Sequence, residues 1–140
     1  MSESDVDVVL DQFEAVNKRD FDRAMSHYAD DVELLVDDEA FLDSGTFRGK
    51  EAVGRFFGNW FSTFEPGYRF EIEEARDLGG VVLLVASHHG RGRNSGAEVH
   101  GRTGYLYKLR DERIVRAELY PDRAAALDAA GANDAESRTD

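Results

Sequence analysis

The sequence predicts a single α+β domain: a curved, mostly antiparallel sheet wrapped around helices grouped in its first half. Three observations carry this. Apolar residues recur at helical spacing up to residue 64, strand-like runs joined by tight turns fill most of the second half, and 140 residues supply one ordinary core rather than two. The domain is expected to span residues 1–131, with 132–140 a disordered tail that lacks apolar periodicity.

Val6, Val9, Leu10, Phe13 and Val16 follow the i, i+3, i+4, i+7 pattern of an amphipathic helix, so Asp5 to Asn17 is expected to be helical with Ser4 or Asp5 as its cap. Asp20 can cap a second, shorter helix whose inner face is Phe21, Met25 and Tyr28, ending near Ala29. Val32 to Asp37 reads as a strand. Asp37 to Gly49 reads as an acidic loop holding a short strand at Thr46 to Arg48, and Asp30, Asp31, Asp37, Asp38, Glu39 and Asp43 form a solvated rim. From Lys50, the residues Val53, Phe56, Phe57, Trp60, Phe61 and Phe64 mark a third helix closed by Pro66-Gly67.

Four strands come next: Tyr68 to Arg76, Val81 to His89, Glu98 to Arg110 and Arg113 to Tyr120. Their connections, Leu78-Gly79-Gly80, Asn94-Ser95-Gly96 and Asp111-Glu112, carry turn chemistry, and tight turns force antiparallel pairing. Asp122 can cap a last helix, Arg123 to Ala130, with Gly131 as its stop. A strongly bent sheet around the aromatic third helix leaves a conical hollow, the natural place for a ligand.

Composition narrows the chemistry. Cysteine is absent, which excludes disulfides, thiolate nucleophiles and cysteine zinc sites. The net charge of -12 repels nucleic acid and anionic membrane alike, so neither is expected as a partner. No apolar run approaches membrane-spanning length and the acidic start lacks the features of a targeting peptide, so a cytoplasmic location is expected. The four histidines have no i, i+4 spacing, so no metal site is expected, and no cofactor motif is present.

Several phrases then matter together: Phe13-Glu14-Ala15-Val16-Asn17-Lys18-Arg19-Asp20-Phe21-Asp22, Tyr28-Ala29-Asp30-Asp31-Val32, Phe47-Arg48-Gly49-Lys50-Glu51-Ala52-Val53, and Ile114-Val115-Arg116-Ala117-Glu118-Leu119-Tyr120-Pro121-Asp122-Arg123 with Ala126-Leu127 close behind. In order and spacing, over residues 6–131, they resemble the SnoaL-like branch of the NTF2-like, ketosteroid isomerase-like superfamily. The resemblance implies a cone-shaped α+β barrel with a deep pocket between sheet and helices, commonly a homodimer through the outer sheet face. It fixes no reaction, because the superfamily spans isomerases, cyclases, dehydratases, hydrolases and members without known catalysis.

Overlay on the steroid isomerases puts Val36 at the general-base position of the first strand, Gln12 at the position of the helix tyrosine, and Tyr105 near the second aspartate. Asp37 lies one residue from the base position, and a one-step slip on a strand reverses a side chain. Steroid-type isomerisation is therefore disfavoured. The overlay turns His89 inward together with Val85 and Ser87, and Tyr105 and Tyr107 inward together with Thr103.

The catalytic candidates are thus His89 as acid or base and Tyr105 holding a substrate oxygen, with Tyr28, Val36, Phe57, Trp60, Phe61, Ser87, Thr103 and Tyr107 lining a pocket for an apolar or aromatic small molecule. The ordinary alternatives are a sheet histidine at a dimer face, tyrosines in cross-strand packing and a helix stripe that is simply core. Arg91, Arg93 and Arg102 near the Asn94-Ser95-Gly96 hairpin read as exposed ion-pair partners, and Arg116 with Glu118 as an interface pair. Two functions are open: a cofactor-independent acid–base enzyme of isomerase, cyclase or hydrolase type, or a non-catalytic dimeric ligand-binding or interaction module.

Overall fold

The computed structural model describes residues 4–37 and 45–138, and beyond residue 131 the helical backbone alone. The element order is α1 (Asp5–Asn17), α2 (Phe21–Ser26), β1 (Tyr28–Val36), β2 (Gly45–Arg48), α3 (Lys50–Ser62), β3 (Arg69–Asp77), β4 (Val82–Arg91), β5 (Glu98–Arg110), β6 (Arg113–Tyr120) and α4 (Arg123–Arg138). Asp38, Glu39 and Asp43 of the expected acidic rim lie outside the described residues.

The helix starts follow capping chemistry read from the sequence. Ser4 Oγ accepts from Asp7 N, an Asp20 carboxylate oxygen from Arg23 N, and an Asp122 carboxylate oxygen from Ala125 N. Asp111 and Glu112 both take positive φ, as the two-residue turn between β5 and β6 requires. Several boundaries differ from expectation: α2 ends at Ser26, which puts Tyr28 in the following strand rather than on the helix face, β4 runs on to Arg91, and two larger differences stand out. The first strand begins at Tyr28 rather than Val32, because Tyr28 pairs with Ile114 ahead of a bulge that spans Ala29 to Val32 and leaves Asp30 and Asp31 in solvent. The last helix continues past Gly131 to Arg138, so that glycine is not a stop.

The six strands form one curved, unclosed sheet in the order β2-β1-β6-β5-β4-β3. All neighbours are antiparallel except β1 and β6, which run parallel. Helices α1 and α3 cover the inner face, where Val9, Phe13, Val53, Phe56 and Trp60 meet Val36, Leu84, Ala86, Tyr105, Tyr107 and Leu119. Helix α4 covers part of the outer face, where Ala126 and Ala130 meet Leu83, Val85, Leu106 and Tyr120. Gly104 permits that approach: a Cβ there would stand 2.5 Å from the Asp122 carbonyl oxygen and 2.9 Å from Ala126 Cβ. No helix among the described residues is long and apolar enough to cross a membrane.

Candidate functional site

The site is built by elements that converge on the inner sheet face. From α1 come Gln12, Phe13 and Val16, from α3 Phe56, Phe57, Trp60 and Phe61, from β3 Phe70, from β5 Tyr105 and Tyr107, and from β6 Leu119. Together they enclose a cavity of about 20 Å³, room for roughly one water molecule. The rings meet mostly edge to face. Phe13 lies 5.1 Å from Tyr105 at 78°, Phe56 lies 5.4 Å from Phe57 at 71°, while Tyr105 and Tyr107 stack along β5 at 6.0 Å. Phe61 is held from outside by Arg19, whose guanidinium carbon sits 4.8 Å above its ring while the side chain donates to the Val16 and Tyr68 carbonyls.

Two polar atoms in this apolar setting lack hydrogen-bond partners among the described residues: Gln12 Oε1 and the Tyr28 hydroxyl. Gln12 is only 3% exposed and Tyr28 is fully buried. Leaving such an atom unpaired costs about 1–3 kcal/mol, so each is a place where stability has been given up. Burial pushes the Tyr28 phenol up. Tyr107 is pushed well above its ordinary value, chiefly by burial and then by the neighbouring phenols of Tyr28 and Tyr105. Both therefore remain protonated, neutral groups throughout the physiological range.

A hydrogen-bond chain runs along the same face. Trp60 Nε1 donates to the Tyr68 hydroxyl at 3.0 Å, and that hydroxyl lies 3.0 Å from His88 Nδ1. The His88 ring lies 6.3 Å from Phe70 and 6.4 Å from Trp60, one ring removed from the cavity. Gly101 faces His88 across the strands, and a Cβ there would come within 2.9 Å of Nε2.

This placement corrects the sequence reading of β4. His88 points inward with Ala86 and Leu84, whereas His89, Ser87 and Val85 belong to the outer face. The reason is parity. The Arg91 and Glu98 pair closes a loop with an even number of residues, Gly92 to Ala97, so odd positions on β5 share a face with even positions on β4. Inward Tyr105 and Tyr107 thus require inward His88, and the loop length was the signal that could have shown it. His89 instead stacks on His100 at 6.3 Å with Glu71 3.5 Å away, beside an open cleft of about 440 Å³.

Of the other expected residues, Tyr105, Tyr107, Phe57, Trp60 and Phe61 line the cavity. Tyr28, Val36 and Thr103 are buried, Tyr28 and Val36 in the same core, without lining it. Asp37 is exposed, its backbone N–H on the Leu119 carbonyl. Arg116 and Glu118 face outward and pair at 2.6 Å, with the Tyr120 hydroxyl donating to the other Glu118 oxygen at 2.5 Å. Arg91 pairs with Glu98, Arg102 with Glu73, and Arg93 donates to the Ser62 and Phe64 carbonyls. Among the described residues no three histidine or carboxylate side chains gather as a metal-binding set. Phe13 and Val16 join the lining from the α1 stripe, Phe56 from the α3 stripe and Gln12 from the position the overlay gave the helix tyrosine, whereas no sequence pattern marked Phe70 and Leu119 for it.

Comparison with solved structures places this architecture. An NTF2-like protein from Burkholderia thailandensis superposes with a TM-score of 0.77 at 23% identity, covering 90% of this chain and 98% of that one. TerC, co-crystallised with polyporic acid, gives 0.73 at 18% identity with 89% and 95% coverage. A Mycobacterium tuberculosis protein in complex with estradiol-17beta-hemisuccinate gives 0.70 at 19% identity with 84% and 94% coverage. No curated protein matches the sequence. The SnoaL-like domain family matches residues 9–117, most of the chain, from within α1 to within β6. With the helices, the sheet and the aromatic cavity arranged as described, the chain belongs to the SnoaL-like domain family and has the NTF2-like, ketosteroid isomerase-like fold.

Proposed function

We propose that this protein binds an apolar or aromatic small molecule between α1, α3 and the inner sheet face. The observation that carries the reading is the lining itself: rings from α1, α3, β3 and β5 converge on one enclosed point, with Gln12 and the tyrosines as the polar groups among them. Two neighbours of the same fold were crystallised with ring-bearing small molecules, polyporic acid and estradiol-17beta-hemisuccinate. The cavity by itself holds about one water molecule, so a ligand must displace part of the wall. Phe57, Phe61 and Phe70 are the partly buried rings of that wall, so their displacement exposes the least core.

A second reading, catalysis, rests on one observation. His88 is an imidazole on the inner face with its Nδ1 3.0 Å from the Tyr68 hydroxyl, a contact that orients the ring for proton transfer. The acid–base role assigned to His89 from the sequence passes to His88 on this reading, with Tyr105 still the group placed to hold a ligand oxygen.

We further propose a homodimer across the outer sheet face beside α4, where Glu33, Arg116 and the His89–His100 pair lie.

Trp60 is the only tryptophan and lines the cavity, so its emission reports occupancy. Neutral aromatic probes such as toluene and naphthalene are expected to change it saturably, and Phe57→Glu is expected to abolish the response. A strictly linear, non-saturating response in the unmodified protein would remove the binding reading. For the catalytic reading, His88→Ala must abolish any turnover found while His89→Ala leaves it intact.

A further inference from the structure

The lining of the cavity also says what chemical end of a ligand it can receive, an inference that rests on the small-molecule reading above. Gln12 projects from α1 into a space otherwise bounded by Phe13, Phe56, Trp60, Phe70 and Leu119 and their neighbours. Its Oε1 is buried with no hydrogen-bond partner among the described residues. A leucine or methionine would fill the same helix position without that penalty, so the amide is costly unless something pairs with it. An amide oxygen accepts, and what is missing is a donor. Among the described residues the cavity lining contains no charged side chain, the nearest cation described, Arg19, lying behind the Phe61 ring, so an ionised group brought there would lose its hydration with no counter-charge in contact to replace it.

We propose that the ligand presents an uncharged hydrogen-bond donor, a hydroxyl or N–H attached to an apolar or aromatic body, to Gln12 Oε1. Hydroxylated rings in their neutral form fit this chemistry, whereas carboxylates and phosphates do not. Gln12 is thereby a specificity-determining residue: it separates a hydroxylated ring from its bare hydrocarbon counterpart.

The test uses a matched set, p-cresol, toluene and p-toluate, titrated against the full chain with Trp60 emission and calorimetry as readouts. The unmodified protein is expected to bind p-cresol more tightly than toluene and p-toluate at least tenfold more weakly than p-cresol. In Gln12→Leu and in the unbranched Gln12→Met, the ratio of p-cresol to toluene affinity is expected to fall about tenfold while toluene binding is kept, and the thermal midpoint of the free protein is expected to rise. A ratio unchanged in both variants would overturn the inference and leave the small-molecule reading standing. Equal binding of p-toluate and p-cresol would overturn the requirement for an uncharged group. Failure of the unmodified protein to bind either neutral probe would sink the small-molecule reading and this inference with it.

Discussion

The Tyr68 hydroxyl stands 3.0 Å from His88 Nδ1 and accepts the indole N–H of Trp60 at the same distance. Direction is set by chemistry. An indole nitrogen can only donate, so the tyrosine oxygen is the acceptor there and its own proton is free to go to Nδ1. When that proton is given to Nδ1, a neutral His88 carries its own hydrogen on Nε2. Burial pushes the Tyr68 phenol up despite the Trp60 bond, which keeps that proton in place. Tyr68→Phe is expected to cost about 1–2 kcal/mol, read by denaturant unfolding, because it strands a buried donor. Nitrogen NMR should show an acceptor-type Nδ1 on His88 in the unmodified protein and lose that signature in the variant.

Gly101 sets where the imidazole lies. A methyl group there would meet Nε2 at 2.9 Å, so Gly101→Ala must push the ring and weaken its bond to Tyr68, at a cost of about 1–3 kcal/mol. Gly58 in α3 is the control: nothing lies within 4 Å of its missing Cβ, and Gly58→Ala should stabilise by about 0.5–1 kcal/mol through helix propensity alone. Thermal midpoints moving in the same direction for both would contradict the assignment.

Asp11 ties α1 to α2 and should show in acid. Its carboxylate takes hydrogen bonds from Arg23 first and then from His27 Nε2, 2.6 Å away, and these hold its pKa below the usual carboxylate range. A carboxyl whose folded pKa lies below its unfolded one stabilises the protein above the unfolded value, near 4, and loses that contribution as pH falls through the folded value. Asp11→Asn is thus expected to cost about 1 kcal/mol or less at pH 7, given how exposed the pair is, with the difference closing below pH ~4. Urea midpoints measured across that range check it.

A homodimer on the outer face would be wet and salt-sensitive. Beyond the strip that α4 seals, this face carries Glu33 with Arg116, Arg102 with Glu73, and His89 beside Glu71. Sedimentation equilibrium should show association weakening on going from low salt to about 1 M, where screening acts over only about 3 Å. A monomer at every salt concentration and at high protein concentration would remove the dimer from the proposal.

Much of the fold was legible because the chain announces its elements locally. Ser4, Asp20 and Asp122 each cap the helix they precede, and the α3 stripe from Val53 to Trp60 is an uninterrupted helical pattern. The candidate site was less so, for reasons that are also physical. Val82 to Ala86 is buried on both faces, by α3 and α1 on one side and α4 on the other, so no polar alternation told inside from outside and the overlay slipped by one residue. Gln12 looked like a departure from a family pattern, when its meaning lies in being a polar residue that burial leaves unpaired.

Strands β1 and β6 come from opposite ends of the chain yet run side by side in parallel, and Leu119 of β6 joins Gln12 and Phe13 of α1 in the cavity wall. During synthesis the β3–β4–β5 meander can zip from local contacts as it emerges, whereas β1 gains its parallel partner, and the cavity its Leu119 wall, only when β6 follows. Phe13 of α1 has Phe70, Tyr105 and Tyr107 to pack on before then, so a chain stalled before residue 113 would have its aromatic side covered but would leave β1 without its parallel partner, an open seam at the centre of the sheet.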